Sequence, residues 1–200
     1  MLGGASGITG TFCYITAIAI PLDRISQYIT AMAWPVLSVI FVYSIYRYIS
    51  IERQTAANQL SLLFASLGFS MVTCMLSVQL AVEIGMEDFM AVTPDKAEEL
   101  KIIKHSLRFV DQGIDVAWDI FIGTSLIFLS FSIKGHPHFG LWWSIPSFLL
   151  GLILIILNVI SFPYPPDSKG LFDIGPGIGI YIIALSARLM WLGNRMKTNK

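Results

Sequence analysis

The chain is predicted to be an all-α integral membrane bundle of six transmembrane helices, forming a single transmembrane domain over residues 1–200. Three observations predict this. Six separate apolar stretches fill most of the 200 positions, each close to the roughly 20 residues a helix needs to cross a bilayer. Hydrophobic residues make up 55% of the chain and charged residues only 13%, about half the charged share of a soluble domain. Mean hydropathy is +0.71. The positions left over supply short loops and one longer connection, too few for a separate soluble domain. Formal net charge is zero, so no basic surface argues for nucleic acid as a partner.

The spans follow in order. Span one runs from about Gly4 to Leu22. Its glycines, with Gly3 just before it, allow close approach to a neighbouring helix, and Pro21, Asp23 and Arg24 end it. No Lys or Arg occurs between Met1 and Ile20, so the charged start of a signal peptide is missing and the segment reads as a retained helix. Span two covers about Tyr28 to Tyr48, with a kink expected at Pro35. Span three covers about Leu60 to Ile84. Its Ser66, Ser70, Thr73 and Ser77 recur on one helical face and read as a packing face. The long connection is Gly85 to Arg108, where Thr93 and Pro94 read as N-cap and first helical residue. Leu100, Ile103, Leu107 and Val110 then alternate with Glu98, Lys101, Lys104, His105 and Arg108. That pattern predicts an amphipathic helix, lying on the membrane or running into span four.

Span four covers about Phe109 to Ile133, and a polar turn follows at Lys134 to His138. Span five covers about Leu141 to Phe162, with Trp142 and Trp143 as interfacial aromatics. Pro163, Pro165 and Pro166 stiffen the next segment, and Pro163 to Lys169 is expected to form an ordered cap. Span six covers about Ile174 to Leu192. Spans two and five share a Trp and a Pro near their starts, which leaves a three-plus-three repeat open. Cys13 and Cys74 fall at membrane depth and read as small buried side chains, neither a disulfide framework nor a zinc pair.

Six spans bring both ends to one side, here called side A. Arg47, Arg53, Lys134, Arg195, Lys197 and Lys200 lie on it. Arg24, Lys96, Lys101, Lys104, Arg108 and Lys169 lie on the opposite side B. The balance is even, so the positive-inside rule does not choose between them. The basic tail after span six favours a cytoplasmic side A.

Chemistry concentrates where charge meets membrane depth. Asp111, Asp115 and Asp119 are spaced i, i+4, i+8, on one helix face about 12 Å long. A carboxylate within a span is costly unless it faces protein or water. Span four begins on side B. Span three ends there with Gln79, Glu83, Glu87 and Asp88, and span six begins there with Asp173. These acids therefore converge on one membrane face, whichever side is outside. They define a candidate water-accessible pocket for a cation, a proton or an amine-bearing ligand: Asp115, Asp119, Asp173, Glu83, Gln79 and Asp111. The structural alternatives are that Asp173 caps span six and that Asp115 or Asp119 pairs with Arg24, Arg108 or Arg188. His105 lies a membrane away from His136 and His138, so the three cannot share one metal. No metal set, cofactor fingerprint, HExxH, GxSxG or P-loop occurs.

The segments Trp118-Asp119-Ile120-Phe121, His136-Pro137-His138-Phe139-Gly140, Asn158, Phe162 to Pro166, and Gly170 to Pro176 resemble a group of uncharacterised bacterial multi-pass membrane proteins. The resemblance covers about residues 111–192. It implies a helical fold in a bacterial inner membrane and carries no activity. It directs attention to Trp118-Asp119 and Phe172-Asp173.

Three function classes follow. The first is a protein that binds, senses or transports a small cation or small-molecule ligand through the side B acids. The second is a structural or accessory subunit, with a membrane-protein partner or a second copy of itself. The third is an intramembrane enzyme using paired carboxylates for acid–base work, for which no nucleophile is evident.

Overall fold

The computed structural model describes residues 1–198. Six helices carry the chain: α1 Leu2–Ala19, α2 Arg24–Glu52, α3 Ala56–Val92, α4 Ala97–Ile133, α5 Leu141–Ser161 and α6 Gly175–Thr198. Short 3-10 turns occupy Pro94–Lys96 and Pro166–Lys169. All six helices are long and apolar enough to cross a membrane, which makes this a multi-pass membrane protein. Of the basic tail, Lys200 and the side chain of Lys197 lie outside the described residues.

The helices pack as a ring in chain order, with α6 returning beside α1 and meeting α5 only sparsely. Polarity is inverted relative to a soluble bundle. Ser147, Ser186, Asn58 and Asn158 are buried, whereas Phe12, Ile18, Val36, Leu149 and Val159 are exposed on the outside. That is the arrangement a lipid solvent selects. The ring interior holds an apolar core of Trp34, Phe41, Phe69, Ile122, Leu126, Ile178 and Leu185. A cavity of about 50 Å³ lies among these residues except Trp34, lined also by Asn58, Ser61 and Ser125.

Local chemistry sets the helix ends. Asp23 caps α2, its Oδ1 accepting from the Ile25 and Ser26 N–H groups at 3.1 Å each. Thr55 caps α3 by accepting from Asn58 N–H at 3.1 Å. Thr93 behaves differently from its sequence reading. Its hydroxyl turns back to the Phe89 carbonyl at 2.8 Å, so it closes α3 and does not open α4.

Interhelical contact depends on small residues. A Cβ added at Gly7 would meet Phe41 at 2.8 Å, so α1 sits directly against α2. At Gly123 it would meet the Gly151 carbonyl at 2.7 Å, which brings the α4 and α5 backbones together. Serines then join the helices: Ser144 to the Ser130 carbonyl at 2.9 Å, Ser147 to that of Leu126 at 2.7 Å, and Ser125 to that of Ser61 at 2.8 Å. The predicted hydroxyl face of span three does this at one point, where Ser77 Oγ reaches the Met32 Sδ of α2 at 3.8 Å. Ser70, Thr73 and Ser77 donate to carbonyls of their own helix four residues back, and Ser70 is exposed. Cys74 is likewise exposed and Cys13 half-buried, so neither is the fully buried filler expected of it.

Helix lengths fix the depth scale. The 21 residues of α5 span about 31 Å at 1.5 Å per residue, one hydrocarbon thickness. The 37 residues of α3 and of α4 span about 55 Å each. Both are anchored on side A by short connections, so their excess emerges on side B as a helical hairpin. The amphipathic segment is the start of this hairpin's second arm and is continuous with span four. Phe89, Val92 and Ile102 are exposed on it.

Candidate functional site

The aspartates of α4 do not all face the same neighbour. Four residues advance a 3.6-residue helix by about 40° beyond a full turn, so the face rotates from Asp111 to Asp119. Asp111 faces α3, where Gln79 Nε2 donates to its Oδ2 at 2.7 Å, and its Oδ1 is buried without a partner. Asp119 faces α5, with the side-chain amide of Asn158 opposite it. Asp115 lies between them, within electrostatic range of Asp111 and Asp173.

Asp119 is 7% exposed and Asn158 2%. Asn158 Nδ2 donates to the Leu154 carbonyl at 3.0 Å, while its Oδ1 is buried without a donor. Asn158 is three residues from the end of α5, so the pair sits about 5 Å inside the side B boundary. Asp119 is therefore buried by neighbouring helices, in the half of the bundle nearer side B.

No ion pair joins Asp115 or Asp119 to a cation among the described residues. Arg24, expected as a partner, instead bridges Glu87 at 3.2 Å and Asp88 at 3.0 Å across the side B end of the bundle. Glu87 and Asp88 are thus clamped, although still more than half exposed. Arg188 is committed on side A, donating from Nε and Nη2 to the His138 carbonyl at 3.2 and 2.7 Å. Arg108 is exposed. The pairing alternative for these aspartates is therefore absent among the described residues.

The remaining candidates divide. Asp173 is exposed and caps α6, its Oδ1 accepting from Gly175 N–H at 2.8 Å. Its charge still reaches Asp115, Asp119 and the Tyr14 hydroxyl. Glu83 is exposed, and among the described residues no hydrogen bond or ion pair ties it to the aspartates. Gln79 belongs to the site only through Asp111.

Two aromatics, Tyr14 and Trp34, were not singled out for the site by sequence, and they pack beside Trp118, which was. Tyr14 on α1 packs on Trp34 of α2 with ring centroids 4.1 Å apart. Trp34 meets Trp118 of α4 edge-on at 5.9 Å. The Tyr14 hydroxyl lies within electrostatic range of Asp115, Asp173 and Asp119. The acids therefore share their end of the ring with an aromatic wall drawn from three helices.

The segment after α5 runs beside α4 at this end. Tyr164 packs edge-on against Phe109 of α4 at 6.0 Å, and Lys169 lies over the Tyr164 ring at 4.5 Å. Gly170 N–H donates to the Asp167 carbonyl and Leu171 N–H to that of Pro166, each at 3.0 Å. The turn closes at Gly170, whose φ of 75° suits a residue without a Cβ.

A second polar cluster occupies side A. Tyr48 Oη and His138 Nδ1 share a hydrogen bond of 2.7 Å, and His138 N–H donates to His136 Nδ1 at 3.2 Å. With the Arg188 bonds, this ties the α4–α5 turn to α2 and α6. Burial, and then the neighbouring His138, push the His136 imidazole below its usual range.

Compared with family models, curated proteins and solved structures, the chain matches none.

Proposed function

We propose that this protein binds a small cation at the side B end of its bundle, through Asp119 with Asp115 and Asp173, as a sensor or transporter. One observation carries the reading. Asp119 is nine-tenths buried, has no cationic partner among the described residues, and faces a buried amide with an unfilled acceptor. A carboxylate kept in such a place without a counter-ion is costly, and a bound cation or proton removes that cost. The short distance to the side B boundary supports access from that face. The tail residues Arg195 and Lys197 support a cytoplasmic side A, in a bacterial inner membrane as the resemblance over 111–192 implies.

Thermal unfolding of the purified protein in sodium, potassium, calcium and methylammonium chlorides tests this, with pH varied separately. The wild type is expected to be stabilised by one of these cations or by protons. Asp119→Asn is expected to stay folded and lose that response. A response that survives in Asp119→Asn, or the lack of any response, rejects the reading.

The projecting α3–α4 hairpin favours a second reading. Its exposed Phe89, Val92 and Ile102 lie some 15 Å or more beyond the bilayer by helix rise, where lipid does not cover them. An accessory subunit would present such a surface to a partner protein. Copurification that depends on Phe89 and Ile102, with no cation response, would favour it.

A further inference from the structure

We propose that the pocket where α1, α2 and α6 meet on side A binds the headgroup of an anionic membrane phospholipid, with Arg47 as the partner of its phosphate. The pocket has a volume of about 310 Å³, and Leu2 of α1, Tyr43, Arg47 and Ile51 of α2, and Leu189 of α6 stand in its lining. That volume is within the range of small-molecule sites, which begins at roughly 300 Å³. The pocket lies at the opposite membrane face from the aspartates of α4 and shares no residue with them.

Three features select this ligand. The first is an uncommitted guanidinium. Arg47 makes no ion pair or hydrogen bond among the described residues, and no Asp or Glu lines the pocket. Glu52 stands five residues further along α2, about 140° round the helix. Two hydroxyls of the lining are already engaged: Ser44 donates to the Ile40 carbonyl at 2.8 Å, and Tyr48 shares its 2.7 Å bond with His138. The charge of Arg47 is therefore what the pocket offers a ligand, and its planar fork suits a phosphate. The second feature is depth. Arg47 is one residue inside the predicted end of span two, with the exposed Tyr43 beside it as an interfacial aromatic. Leu2 and Ile51, 80% and 71% exposed, put apolar surface on the rim. An amphiphile covers that surface, and a free phosphate ion leaves it wet. The third is the charge of the whole face. Side A carries Arg47, Arg53, Lys134, Arg188 and Arg195 among the described residues, with Glu52 as its one acidic side chain. Every other Asp and Glu lies towards side B. A basic membrane face draws anionic lipid, and basic pockets between spans hold its headgroups. A zwitterionic lipid brings an ammonium group as well, for which this pocket has no carboxylate.

Native mass spectrometry of the full chain, released from detergent with one probe added at a time, tests this. The probes are phosphatidylglycerol, phosphatidylcholine with the same acyl chains, oleate and glycerol 3-phosphate. The wild type is expected to retain one phosphatidylglycerol, about fivefold or more tighter than each of the others. Arg47→Gln should lose that preference. Arg53→Gln, on the same membrane face but outside the pocket, should keep it. Circular dichroism establishes that each variant is folded, as the exposure of both arginines leads one to expect. An equal loss in Arg47→Gln and Arg53→Gln would mean diffuse attraction to a basic face and would overturn the site. Phosphatidylcholine retained as tightly as phosphatidylglycerol would overturn the anionic selectivity. Oleate binding as tightly would replace the phosphate by any anionic amphiphile, and glycerol 3-phosphate binding as tightly would replace the lipid by a free phosphate; either result overturns the phospholipid. A wild type that retains none of the four would reject the proposal, and none of these outcomes bears on the cation site of side B.

Discussion

Asp119 on α4 faces the side-chain amide of Asn158 on α5, and both are buried near the side B end of the ring. Among the described residues, neither has an ion-paired cation that would lose its partner if the carboxylate were neutralised. Asp119→Asn is therefore expected to leave thermal stability in detergent unchanged or slightly raised, since it removes the cost of a buried charge. Loss of a counter-ion from a buried pair would instead cost about 3–5 kcal/mol. A fall of that size would show that Asp119 holds the bundle together.

The crossing of α4 and α5 gives a contrast between glycines in the same fold. A Cβ at Gly123 would press on the Gly151 carbonyl and the Ile155 side chain, whereas one at Gly113 would meet nothing within 4 Å. Gly123→Ala should destabilise by about 1–3 kcal/mol, as overpacking does. Gly113→Ala, in the same helix, should stabilise by about 0.5–1 kcal/mol through helix propensity. Unfolding midpoints of the two variants moving in the same direction would contradict the close approach.

The fold was legible because length and hydropathy dictate it. A helix is the form in which an isolated apolar run can satisfy its backbone in lipid, so counting spans also gave the convergence of the acids on side B. The partners of those acids were not legible. Arg24 pairs with Glu87 and Asp88 because those two are at its depth, a three-dimensional coincidence that spacing does not encode. Asn158 had a signal, as the single amide in an uninterrupted apolar span. Tyr14 and Trp34 had none, because an aromatic residue in a span reads equally well as core. The predicted hydroxyl face of span three joins another helix at Ser77 alone among the described residues, for a local reason. A hydroxyl in a helix satisfies itself on the carbonyl four residues back, so a shared face need not be an interface.

The segment after α5 should resist proteolysis. Lys169 is laid over Tyr164, and the peptide groups beyond it are tied to Pro166 and Asp167. Cleavage requires local opening, and here opening breaks both hydrogen bonds and the Tyr164–Phe109 contact. Trypsin acting on the native protein in detergent should cut after Arg53, in the exposed α2–α3 connection, well before it cuts after Lys169. Cleavage at Lys169 first would mean that the cap is not held. Tyr164→Ala should accelerate the Lys169 cut by removing the ring beneath the lysine.

The side A turn should make stability depend on pH through His136. Its Nδ1 accepts from His138 N–H, so the neutral ring carries its proton on Nε2. Adding a second proton at Nδ1 would set one donor against another and place a charge in a buried site. Burial and His138 lower the folded-state value below the ordinary 6.5, and the Glu52 carboxylate opposes them only in part. The unfolded chain therefore takes up its proton first as pH falls. The contribution of His136 is fully present above about pH 6.5. It declines as pH drops through 6.5 towards the lower folded value. Asn in this position offers Oδ1 as an acceptor and does not titrate. His136→Asn should thus flatten the loss of stability between pH 7 and pH 5 while unfolding similarly to the wild type at pH 7.5. Thermal unfolding of both proteins across that range checks it. Parallel curves for the two would remove His136 as the source, and a wild type that gains stability on acidification would reverse the sign.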